Sequence, residues 1–453
     1  MHLPLTRRKL LQRSGAALAA APLAGRFSSP ALASTLRQVG SLPDPTRPAG
    51  TSTAALPFDH IVVVMMENHS FDNLLGALPI QGQPAADGLT FNGSGVAQNT
   101  NPGPSGPVQS FKFASTAQGP NVSQSWDATH EQIDNGKMDG FVTSNGNTTQ
   151  TMGYWDDTVL PFPYSLARTF TVGNRWFCSA PCQTFPNRRF LMAGTAYGNV
   201  STDLASISDP PPPNGTIFDR LHQYGITWRN YYTDLPQTLI IPSVVQKYST
   251  NIQGINQFFL DCATGNLPAV SFVDPEVGVL PEIGDFLGSV KALAPLASLL
   301  DSIGGSEEEP QNLGFGEAWA HNVVEAVLHS PAWPRTLLIY TYDEHGGYYD
   351  HVPPPAAIPP DNIPPTLAAT DYPGGYDIYG VRVPAVVASP YSRPNAVSNV
   401  VHDHTSVLAT IEAKWNLPAL TLRDANAAPV FDFLNFAAKP AFLTPPTLAA
   451  PLP

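Results

Sequence analysis

The run Asp59-His60-Ile61-Val62-Val63-Val64-Met65-Met66, followed at once by Glu67-Asn68-His69-Ser70-Phe71-Asp72, decides the fold. An apolar, β-branched stretch without alternation marks a strand buried on both faces, as in a parallel sheet. The same signature returns in Thr336-Leu337-Leu338-Ile339-Tyr340-Thr341-Tyr342 and in Val383-Pro384-Ala385-Val386-Val387-Ala388. Helical stretches separate these runs. Gly316 to His329 carries apolar residues at Trp319, Val323, Ala326 and Val327, and Thr405 to Trp415 follows Asp403. Strands alternating with helices predict an α/β fold with a mostly parallel central sheet covered on both sides.

Outward from that core, the chain divides into four parts. Thr6-Arg7-Arg8-Lys9-Leu10-Leu11-Gln12 is a twin-arginine pattern, followed by a weakly apolar stretch from Ala16 to Leu23 and an A-x-A site at Ala31-Leu32-Ala33. Residues 1–33 therefore read as an export signal, with the twin-arginine machinery as partner and a periplasmic or extracellular destination. Residues 34–56 read as a linker, 57–427 as the catalytic domain, and the Pro- and Ala-rich 428–453 as a tail that wraps the surface. No later run is long and apolar enough to be a membrane span.

The whole chain has a formal net charge of −13. The signal holds Arg7, Arg8, Lys9, Arg13 and Arg26 and no acid, so its removal takes −13 to −18. So acidic a protein is not built to hold nucleic acid or anionic membranes by bulk charge. Any phosphate it handles must meet local cations. The three cysteines, Cys178, Cys182 and Cys262, allow one disulfide in an oxidising compartment, with no pair singled out.

Functional groups of an open parallel sheet gather at the carboxyl ends of its strands. Two strand ends here release acids at once, Glu67-Asn68 and Asp343-Glu344. Acids packed beside buried strands repel one another unless a cation joins them. Oxygen donors favour one hard divalent ion, Ca, Mg or Mn, while nearby histidines keep Zn open. Two loops capped separately would share this spacing, so spacing leaves both readings standing.

A third segment is Cys182-Gln183-Thr184-Phe185-Pro186-Asn187-Arg188-Arg189. Pro186 suits the first turn of a helix, which sets Thr184 at an anion-attracting amino terminus. A hydroxyl there can act as a nucleophile or simply cap the helix.

E-N-H-S-F-D (67–72), T-F-P-N-R (184–188) and Y-D-E-H-G-G-Y-Y-D-H-V-P-P-P (342–355) resemble the bacterial and plant phosphoesterase family of non-specific phospholipases C and acid phosphatases. G-K-M-D-G-F (136–141), G-V-R-V-P (380–384), D-H-T-S (403–406) and R-D-A (423–425) extend the match. The resemblance implies an alkaline-phosphatase-like three-layer sandwich with long loop insertions. It further implies a metal held by Glu67, Asn68, Asp343 and Glu344, with Thr184 as a nucleophile that passes through phosphothreonine. Asn187, Arg188 and His345 become the candidate phosphate contacts, with His351 and His404 as candidate general acids beside His345. T-F-P-N-R also resembles the sulfatase C/S-x-P-x-R segment, but threonine cannot become formylglycine, which disfavours sulfate esters. Gln124 and Glu309 stand where many family members carry histidine.

The expected function is thus a metal-dependent phosphoric ester hydrolase. A phospholipase C is favoured, with Trp126, Tyr154, Trp155 and Phe162 as a possible apolar rim for acyl chains. The alternatives are an acid phosphatase acting on monoesters and an exported binding protein without catalysis.

Overall fold

In the computed structural model, residues 36–276, 307 and 311–452 are described. The export signal and Glu309 lie outside them. Gln38–Pro453 forms one compact unit.

The central sheet contains eight strands: β1 His60–Met66, β2 Thr171–Gly173, β3 Trp228–Tyr232, β4 Ile252–Gly254, β5 Val270–Asp274, β6 Thr336–Tyr342, β7 Ala385–Ala388 and β8 Ala396–Ser398. They lie side by side in the order β8-β2-β7-β6-β1-β5-β3-β4. β1 is paired in parallel with β6 on one side and β5 on the other. Every residue of β6, and every residue of β1 after His60, is buried. Only β7 runs against the rest, a reversal that its apolar run does not encode.

Helices needed for the site are α1 Phe71–Leu75, α2 Trp126–Ile133, α3 Thr184–Ala193, α4 Leu313–Leu328 and α5 Thr405–Trp415. The direction of each crossover sets the face it covers, because parallel connections are right-handed. β4 to β5 and β5 to β6 step one way across the sheet, which puts Ile255–Thr264 and α4 in one layer, where they pack together. β2 to β3 steps the other way and puts α3 in the opposite layer, packed on α5. The result is an α/β three-layer sandwich.

Residues read as a linker are instead strapped to the body. Asn416, left-handed at the end of α5 with φ 49°, donates from Nδ2 to the carbonyls of Asp44 (3.0 Å) and Arg47 (2.9 Å). Its Oδ1 accepts from the Asp44 amide at 2.9 Å. A polar, proline-rich segment with no apolar period can still dock when one buried amide satisfies its backbone. Val430, Phe433 and Leu448, in the segment read as a tail, belong to the core.

Candidate active site

The pairing of β1 with β6 aligns Met66 with Tyr342, so the next residues on both strands emerge side by side. Glu67, Asn68, Asp343 and Glu344 are all buried. Asp343 Oδ1 accepts from the amides of Asn68 (3.2 Å) and Glu344 (2.7 Å), and Glu344 Oε2 accepts from the Gly346 amide (2.7 Å). The chain after β6 folds back tightly over Asn68. A Cβ on Gly346 would lie 2.0 Å from the Asn68 carbonyl oxygen, and Gly346 has φ +62°, so glycine is required on two counts.

Arg188 reaches this cluster from α3. Its Nε donates to Asp343 Oδ2 (3.0 Å) and its Nη2 to Glu67 Oε1 (3.2 Å). Nη1 and Nη2 also bond the carbonyls of Met65 and Met66. Arg188, expected to face phosphate, here staples the two strand ends together. The acids thus remain one unit.

Three buried carboxylates, those of Glu67, Asp343 and Glu344, gather at these strand ends. Asn68 sits beside them in a left-handed conformation, φ 64°, with Oδ1 and Nδ2 both buried and without a hydrogen-bond partner. Buried amides are rarely left so, and an unexplained one points to an ion. The oxygen donor set and the orphaned Asn68 amide fit a single divalent cation held by Glu67, Asn68, Asp343 and Glu344.

Thr184 is the first residue of α3, and Gln183 is the N-cap, so the Thr184 hydroxyl is not the cap. It is partly exposed, whereas every later residue of α3 is buried. Arg188 lies four residues on, along the same helical face and roughly 6 Å along the axis. Thr184 thus stands about one helical turn from Arg188, the residue that touches Glu67 and Asp343. The preceding loop lies close as well: the charge of Glu344 adds to burial in raising the Cys182 thiol well above its usual range. All three cysteines are buried and free, so no disulfide stiffens this loop.

Asn187, expected at phosphate, faces its own loop. Its Oδ1 accepts from the Ala180 amide (3.1 Å), and its Nδ2 donates to the Cys182 carbonyl (2.7 Å). It holds the loop from Ala180 to Gln183 against the first turn of α3.

The three candidate histidines separate. His345 donates from Nε2 to Gln132 Oε1 (2.7 Å), and Gln132 is itself oriented by donating to the Ser123 carbonyl (2.8 Å). Burial pushes His345 down to about 3. His404 donates from Nε2 to the Asp343 carbonyl (2.6 Å), and burial lowers it too. Both rings are neutral near pH 7, contrary to the expectation of a protonated acid beside carboxylates. Desolvation outweighs the neighbouring charges. Gln132 was not legible as a site residue, since nothing in the α2 sequence marks it.

His351 belongs to a different cluster. Its Nδ1 donates to Asp72 Oδ2 (2.6 Å), and its Nε2 lies 3.2 Å from Asp87 Oδ1. Arg382 bridges the same group, with Nη2 on Asp72 Oδ1 (3.0 Å) and Nε on Asp350 Oδ2 (3.1 Å). Ligand atoms of Asp72, Asp350 and His351 lie within 4.8 Å of one another, as a metal site would require. Here, however, Arg382 and a protonated His351 already balance the two acids. Burial pulls His351 down, but the charge and hydrogen bond of Asp72, together with Asp350, outweigh it and raise the ring to about 9.

That shift carries a pH dependence. A raised imidazole stabilises the fold fully below its unfolded value of 6.5 and loses that contribution as pH rises through about 9. Wild type should exceed His351→Gln by roughly 2–3 kcal/mol near neutral pH, with the gap closing above about pH 9. Urea titrations of both proteins across this range provide the check, and a gap independent of pH would refute the ion pair.

An α/β sandwich with acids, a helix-terminal hydroxyl and an arginine at the carboxyl edge of its sheet describes a hydrolase of phosphoric esters. The chain belongs to the Phosphoesterase family, whose model matches residues 58–418. It is 32% identical to non-specific phospholipase C6 of Arabidopsis thaliana, over 86% of this chain and 75% of that protein. It is 30% identical to phospholipase C B of Mycobacterium tuberculosis, over 96% and 87%. Among solved structures it resembles a protein in the alkaline phosphatase superfamily from Vibrio parahaemolyticus, with 11% identity, TM-score 0.36 and 77% of each chain covered.

Trp126, Tyr154, Trp155 and Phe162, expected to form an apolar rim, are all core residues. Trp126 and Trp155 direct their indole N–H groups to the carbonyls of Tyr372 and Ser115. Aromatic loop residues without periodicity look alike in sequence whether they face water or seal a loop onto the body.

Proposed function

We propose that this phosphoric ester hydrolase attacks phosphorus with Thr184, works with one divalent metal ion, and cleaves phospholipids as a phospholipase C. The single observation that carries the proposal is Arg188, which ties the helix that starts at Thr184 to both acidic strand ends. The substrate class is supported by the relatives, which are named phospholipases C.

A divalent ion bound by Glu67, Asn68, Asp343 and Glu344 would lower the pKa of the Thr184 hydroxyl and neutralise charge on the phosphoryl group. Thr184 Oγ1 attacks in line, its proton passing to solvent. The bond from phosphorus to Oγ1 forms as the bond to the diacylglycerol oxygen breaks, and that alkoxide takes up a proton. Water then attacks the phosphothreonine, which still carries the lipid headgroup as a diester, releasing the headgroup phosphate while Thr184 Oγ1 regains a proton. Through both steps Arg188 keeps the acids aligned, and Gln132 fixes the tautomer of His345. Export by the twin-arginine machinery to the periplasm or beyond belongs to the same proposal, resting on residues 1–33.

Purified protein should release diacylglycerol from phosphatidylcholine faster than it hydrolyses 4-nitrophenyl phosphate. EDTA should lower the rate by at least about tenfold, with recovery on adding Ca, Mg or Mn. Turnover of the monoester alone would make the protein an acid phosphatase. Activity indifferent to EDTA would remove the metal, and an inert, metal-free protein would favour a binding role.

A further inference from the structure

We infer that Thr202, far from the recognised motifs, is a positioning residue for the nucleophile; this rests on Thr184 holding that role. The N-cap of α3, Gln183, makes no capping bond with its own side chain. Its Oε1 instead accepts the Thr202 amide at 2.8 Å. In return, the Thr202 hydroxyl accepts the Phe185 amide at 3.3 Å. Thr202 therefore grips the residues on both sides of Thr184 in a reciprocal pair, the same logic as a capping box but supplied from another loop.

The consequence lies in the amides of the first turn. Pro186 has none, and the Asn187 amide reaches back to the Gln183 carbonyl at 3.4 Å. With Phe185 bound to Thr202, the Thr184 amide is the one left to meet an incoming anion. Thr202 thus decides which N–H faces the phosphoryl group and how the Thr184 hydroxyl is aimed.

The loop that bears Thr202 is itself held at both ends. Tyr376 donates its hydroxyl to the Asn199 carbonyl at 2.5 Å, and Arg189 Nη2 donates to the carbonyl and hydroxyl of Ser206, each at 2.9 Å. Arg189 belongs to α3, so the helix and the loop are fastened twice, once at each end of the contact. A fixed point of this kind suits placing a reacting atom, where a displacement of about 1 Å can cost roughly a hundredfold in rate.

The test uses the full protein with 4-nitrophenyl phosphorylcholine as probe, comparing wild type, Thr202→Val, Thr202→Ser and Thr184→Ala. Thr202→Val should lower kcat by about ten- to a hundredfold with KM changed less than about threefold. Thr202→Ser should recover most of kcat, since the serine hydroxyl can accept the same amide. Acid-quenched samples should show slower phosphoenzyme formation in Thr202→Val, and melting temperatures identify any variant that merely misfolds. Wild-type kcat in a folded Thr202→Val, or equal loss in Thr202→Ser, would overturn the inference. Were Thr202→Val to misfold, wild-type kcat in Gln183→Ala, which removes the other half of the pair, would overturn it. If Thr184→Ala stays active, the nucleophile assignment falls first and takes this inference with it.

Discussion

Thr184→Ala is expected to lower turnover of phosphatidylcholine on the order of 10⁴-fold while the fold and the bound metal survive. Thr184 is the first residue of α3, is partly exposed, and leaves the capping of the helix to others. Deleting its hydroxyl removes no buried hydrogen bond, so the melting temperature should move by no more than a few degrees. The four candidate ligands lie on other elements, so metal content should match wild type. Thr184→Ser should retain measurable activity, because a hydroxyl remains at the same helical position. Full activity in the alanine variant would rule out the nucleophile. Loss of metal together with activity would instead make Thr184 a ligand.

Arg382→Met should destabilise the protein by about 3–5 kcal/mol. The guanidinium is fully buried, bridges Asp72 and Asp350, donates to the Asn174 carbonyl at 3.1 Å, and lies 4.2 Å from the Phe71 ring centre. Methionine fills similar space but strands two buried carboxylates. Their desolvation is then opposed by His351, which is already shared with Asp87, and by the backbone amides of Asp72, His351 and Val352. The deficit should shrink as pH falls, because Asp350, already raised to about 6 by burial despite Arg382, can take up a proton. Lysine should rescue poorly, since a single ammonium cannot span both acids. Because Asp72 follows β1 and Asp350 follows β6, this clamp also holds together the loops that carry the candidate metal ligands. Activity near the unfolding midpoint should therefore fall before global unfolding. Urea denaturation at two pH values measures the effect. A loss under about 1 kcal/mol would mean that the network contributes little.

Much of the site was readable as words but not as sentences. The strand runs 60–66 and 336–342 and the acids that follow them could be picked out, because a strand buried on both faces leaves an unbroken apolar run in its own sequence. Thr184 ahead of Pro186 was legible for a similar local reason. Arg188, Asn187 and His351 were visible as polar residues in the right motifs, but their partners were not. Each holds a protein group: Arg188 and Asn187, expected at phosphate, bind strand ends and a loop backbone, and His351, expected as a general acid, joins a second ion cluster.

By itself the sequence determined which segments become buried strands, that acids stand at the ends of two of them and that a hydroxyl stands at the start of a helix, since these depend on residues adjacent in the chain. Only the tertiary structure decided that β1 pairs with β6, that Arg188 joins Glu67 to Asp343, and that Thr202 grips the start of α3. Those outcomes depend on groups that are distant in sequence meeting in a medium of low polarity. There, burial and partner together set the charge of a histidine or the use of an arginine, and neither is written in the neighbouring residues.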